Sequence, residues 1–86
     1  MITRPEAKAI ADAVISPERR LEIETQLDTL IRDAALTGAY QVFANPITKE
    51  YNEQELVFAR DLLRNAPNLF TTSDFANDSD HWIYWN

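Results

Sequence analysis

Trp82-Ile83-Tyr84-Trp85-Asn86 sets the architecture of this chain. The stretch holds both tryptophans and one of the three tyrosines among 86 residues. Aromatic and β-branched residues in succession favour a strand. A strand sends alternate side chains to opposite faces, so Trp82 and Tyr84 share one face while Ile83 and Trp85 share the other. Upstream helices can cover only one of them. The second is then a large aromatic surface that calls for a protein partner or another copy. Alternation alone leaves open which set points inward.

Reading back from this strand, Asn77-Asp78-Ser79-Asp80 is a turn, and Leu69 to Phe75, rich in Thr and Phe, is a second strand. Before it, Leu56, Ala59, Leu62, Leu63 and Ala66 recur at helical spacing. Asn52 with Glu55 three residues on supplies the N-cap, and Asn65 to Pro67 the stop. Ala39 to Ala44 reads as a short strand, with Tyr40 and Val42 alternating with Gln41 and Phe43 and Asn45-Pro46 ending it. Ile23, Leu27, Leu30, Ile31 and Ala34 stripe the longest helix, about 17 to 37, which starts at Ser16-Pro17 and stops at Gly38. Thr3-Arg4-Pro5-Glu6 matches a capping box for a first helix over about 4 to 15, with Ala7, Ile10, Ala11 and Val14 on one face.

The expected fold is therefore α+β, a two-layer single domain over residues 1–86 in the order α-α-β-α-β-β. A three-stranded mixed sheet carries its helices on one face, with the first two strands parallel by a right-handed crossover. The third strand can sit between them, a point the pattern leaves open. A two-layer sandwich leaves one sheet face bare unless the N-terminal helix folds across it.

Fourteen acids against eight bases give a formal charge of −6, and no base lies beyond Arg64. An acidic chain whose aromatic end lacks Lys and Arg is poorly suited to neutralising phosphates, which argues against nucleic acid. No cysteine is present, so thiol chemistry and thiolate metal sites are excluded. No apolar run reaches the roughly 20 residues of a membrane span, and the N-terminus lacks a signal core. A soluble cytoplasmic protein is expected. A chain this short buries only about 60–65% of its unfolded surface, so oligomerisation is one way to gain stability.

Chemistry-bearing groups are sparse. Asp74, Asn77, Asp78 and Asp80 crowd oxygens around the last turn, but they lack the order of a calcium loop and suit backbone turns. His81 is the only histidine, with no second His or Cys to complete a zinc site. Ser73 or Ser79 beside it lacks a nucleophile elbow. Glu18/Glu22 and Glu24/Asp28 lie one helical turn apart, interleaved with Arg19, Arg20 and Arg32 as surface ion pairs. With Gly38 the sole glycine, no glycine-rich phosphate cradle exists. A small nucleotide would need Arg60 or Arg64 and a stacked aromatic. No cofactor, metal or catalytic residue is expected. The binding residues singled out are Tyr40, Trp82, Tyr84 and Trp85, with Tyr40 or Phe70 joining the Trp82–Tyr84 face.

The helix end Ile31-Arg32-Asp33-Ala34-Ala35-Leu36-Thr37-Gly38, followed by a strand, a helix, a hairpin and Trp82-Ile83-Tyr84-Trp85, resembles small accessory proteins of tailed bacteriophages. Those carry an I-x-x-A-A-x-x-G helix end and finish in an aromatic strand similar to I-S-W. The resemblance spans residues 17 to 86. It departs where Pro67-Asn68 replaces Gly-Tyr and Tyr84 replaces Ser. The group has no single activity: its members are virion components, host-takeover factors or inhibitors of bacterial defence. The resemblance implies a non-catalytic protein that binds another protein, as an inhibitor of a host or anti-phage defence protein. The alternatives are a virion structural component and a nucleotide-sequestering protein.

Overall fold

Each long helix begins where the sequence supplies an oxygen for its first free amides. The computed structural model describes residues 1–86, the side chain of Asp12 excepted. Helix α1 spans Arg4–Asp12, with the Thr3 hydroxyl accepting the Glu6 amide at 3.3 Å. Helix α2 spans Pro17–Leu36, and Ser16 Oγ accepts the Arg19 amide at 3.1 Å. Helix α2 stops at Gly38, whose φ of 87° is the left-handed conformation a side chain disfavours. There the Gly38 and Ala39 amides turn back to the carbonyls of Ala35 and Ala34, closing a Schellman end.

Strand β1 is Gln41–Phe43, and a single helical turn α3, Asn45–Thr48, follows it. This turn is one element more than the sequence reading has. It is too short to show a period, and only Pro46 near its start marks it. Helix α4 spans Glu53–Arg64 behind a full capping box: Asn52 Oδ1 accepts the Glu55 amide and Glu55 Oε1 accepts the Asn52 amide. Strands β2, Thr71–Thr72, and β3, Trp82–Tyr84, complete the fold.

The sheet order is β1-β3-β2. β1 and β2 point the same way, as a crossover through α4 requires, but β3 lies between them and runs against both. Both ladders are therefore antiparallel, and the sheet is antiparallel rather than mixed. β2 is also shorter than Leu69 to Phe75. Leu69 holds a left-handed φ of 56°, and Ser73 Oγ donates to the Asp80 carbonyl while accepting the Trp82 amide, so regular pairing is confined between them.

Val42, Ile83 and Thr72 stand abreast on the face that meets the helices. Ile83 and Ile23 are fully enclosed, and Leu27, Ala59, Leu63 and Phe75 complete the centre of the core. Burying one such aliphatic side chain is worth about 1.5–3 kcal/mol, so Ile83→Ala, at the middle of the middle strand, weakens the joint between layers. The helices cover this face alone. Among the described residues no helix is long and apolar enough to cross a membrane.

Candidate functional site

The opposite face of the sheet follows from the register. Gln41 pairs Tyr84, Phe43 pairs Trp82, and Thr71 pairs Tyr84, so these five side chains point away from the helices. Trp82 is the hub. Its ring lies 5.1 Å from that of Phe43, tilted by 53°, and 6.4 Å from that of Tyr84, nearly parallel at 22°. Such ring pairs add about 0.5–1.5 kcal/mol beyond area burial. Each ring shields its neighbours, which leaves Trp82 and Tyr84 half-buried and Phe43 39% exposed.

Of the four residues singled out from sequence, the structure brings Trp82 and Tyr84 together on this face. Trp85 is on the other side, packed against the core and meeting the Phe70 ring edge-on at 6.3 Å. Tyr40 is opposite Trp85, where the Trp85 amide donates to the Tyr40 carbonyl at 3.0 Å, and its ring is 64% exposed beyond the end of β1. Phe43 is the third ring of the face. Its alternation with Tyr40 and Val42 is visible in the sequence, but its pairing with Trp82 needed the strand order.

The remaining chemistry-bearing residues hold the scaffold. His81 Nε2 lies 3.0 Å from the Asp78 carbonyl, which can only accept, so Nε2 carries a proton, and Nδ1 shares a hydrogen bond of 2.6 Å with the buried Thr48 hydroxyl. The His81 backbone is clamped to Asn45 and Ala44, and its ring lies 5.0 Å from that of Phe75, tilted by 35°. Asp74 and Asp78 act as turn acceptors for the backbone amides of Ala76 and Asp74. Hydrogen bonds from Asn77 first, and then from Arg60, hold the Asp74 carboxyl below the usual range. Among the described residues no three His, Cys, Asp or Glu side chains converge as a metal site would need.

Arg60 and Arg64 tie α4 to the end of β2 and the segment after it. Arg60 Nη1 donates to Asp74 at 2.9 Å, while Arg64 reaches the hydroxyl and carbonyl of Thr72, each at 2.8 Å. Arg19 does more than pair along its own helix: besides Glu22 it donates to the buried carboxylate of Glu55 on α4. That hydrogen bond is the largest influence holding the Glu55 pKa below 4.5 against the opposing effect of burial. The Arg19 guanidinium also lies 5.3 Å over the ring of Tyr51, whose hydroxyl donates to Gln26. Burial pushes the Tyr51 phenol up to about 12.

This clamp holds α2 beside α4, and further along the two helices part into an open apolar groove of about 500 Å³. Leu27, Ile31, Leu62, Leu63 and Phe70 line it, together with Glu24 and the Asp28–Arg32 pair. Comparison with protein-family models, curated proteins and solved structures finds no match to this chain.

Proposed function

We propose that this chain is a non-catalytic binding protein that uses the Phe43–Trp82–Tyr84 face to engage another protein. We read it as a phage-type accessory factor that inhibits a host or defence protein in the host cytoplasm. One observation carries the binding reading: Trp82 in ring contact with both Phe43 and Tyr84 on the side of an open sheet that its helices do not cover. Aromatic rings supply large, rigid contact area with little rotamer entropy to lose, which is why Trp and Tyr dominate binding hot spots. The accessory-factor reading rests on the resemblance of residues 17 to 86 and on an acidic surface suited to a basic protein target.

The test compares wild type with Trp82→Ala/Tyr84→Ala as affinity baits in lysate of the bacterial host. Circular dichroism verifies that both are folded. A bound protein lost with the variant, with affinity reduced roughly 30-fold or more, is the expected result. Equal recovery by a folded variant, or no specific partner for wild type, overturns the reading.

A further inference from the structure

Helix α1 is assembled the wrong way round for a monomer. Its apolar residues Ala7, Ile10 and Ala11, with Val14 just past its end, fall on one stripe, as a helix packed on a core requires. Yet Ile10 is 64% and Val14 71% exposed. The helix lies beside α4, where Lys8 pairs with Asp61 at 3.8 Å, and its apolar stripe faces away. Every residue of α1 whose side chain is described is exposed. The Cα radius of gyration is 13.4 Å, against about 12 Å expected of a compact chain of this length, and the long axis of 49 Å is twice the others.

The same chain carries a concave counterpart. The groove between α2 and α4 runs from Leu21 to Ala35 along α2, a length of roughly 21 Å at 1.5 Å per residue. The stripe from Ala7 to Val14 needs roughly 10 Å of it. Arg4 and Lys8 flank the stripe on one side; Glu24, Asp28 and Arg32 line the groove, and because Arg32 pairs with Asp28, Glu24 is the acid left to face Arg4. An arm cannot easily fold back into its own groove, because buried Ile15 and the Ser16 cap fix its root where α2 begins.

We propose that α1 of one copy docks in the α2–α4 groove of a second copy, and reciprocally, to form a closed two-fold dimer by arm exchange. Both unpartnered apolar features are satisfied at once, and a two-fold axis generates the second contact from the first. Self-association is thereby assigned to the arm and groove, while the aromatic sheet face stays free for a different protein. The dimer does not depend on the function proposed above, and the two readings fail separately.

Light scattering after size exclusion should give twice the 9.9 kDa of one chain. Ile10→Asp, Val14→Asp and, on the lip of the groove, the exposed Leu21→Lys should each weaken dimerisation roughly tenfold or more. Trp82→Ala/Tyr84→Ala should leave it intact. Because the chain has no cysteine, Ile10→Cys in a tagged copy mixed with Thr25→Cys in an untagged copy should form a disulfide-linked pair of mixed mass. A monomer at all concentrations overturns the proposal. So does a dimer indifferent to the arm and groove substitutions, or a bond that closes within one chain when both cysteines are placed in it.

Discussion

Replacing Glu55 by Gln isolates the electrostatic half of a side chain with two roles. Glu55 Oε1 caps α4 by accepting the Asn52 amide at 3.0 Å, and a Gln carbonyl can do the same. Oε2 accepts from Arg19 Nε, and there a Gln amide would set one donor against another. Removing one partner of a buried ion pair costs about 3–5 kcal/mol, and a single hydrogen bond to a charged group about 1.5–3. Arg19 keeps Glu22 and partial contact with water, so the lower range applies: about 2 kcal/mol, or a fall in Tm of roughly 10 °C for a domain of this size. The pH dependence has a fixed sign. Because the folded-state pKa of Glu55 lies below 4.5, its contribution is complete above that value and is lost as pH falls through the depressed pKa. Urea unfolding of both proteins from pH 7 downward should show the gap narrowing below about pH 4.5. A gap under about 0.5 kcal/mol at pH 7, or one that stays constant as acid is added, refutes the pairing as an energetic link between α2 and α4.

Thr48→Val removes the hydroxyl that faces His81 Nδ1 and leaves that buried nitrogen without its partner. Chemical denaturation should register a loss of about 1–3 kcal/mol, with Thr48→Ser losing less, and equal losses would place the cost in packing instead. Leu69→Gly relieves a left-handed, solvent-exposed residue. Thermal unfolding should show a gain of up to about 1 kcal/mol, and a loss would mean that the exposed side chain contributes more than the backbone relief.

The helices were legible because their signals are local. Thr3, Ser16 and Asn52 each stand at an N-cap, and the stripes of α2 and α4 supply Ile23, Leu27, Ala59 and Leu63 to the core. Alternation likewise put Trp82 and Tyr84 together. What escaped depends on contacts distant in sequence. Phe43 joins the aromatic face only through its register with Trp82, and the antiparallel character of the sheet follows from where β3 inserts. Arg19, Arg60 and Arg64 look like solvated charge in the sequence because Glu55, Asp74 and Thr72 lie in other elements. The apolar stripe of α1 announces a helix but not what that helix packs on, and the structure leaves the stripe in water.

The middle strand of the sheet is also the latest in the chain, and this orders the events of folding. β1 and β2 have no partner but β3, and every rung between β1 and β3 encloses the whole of α3, α4 and β2. During synthesis the helices can form as they emerge, whereas the two outer strands wait with open edges until residues 82 to 84 leave the ribosome. A chain cut short of Trp82 would therefore lose both ladders together rather than one. What remained would be a set of helices with a ready-made aggregation edge.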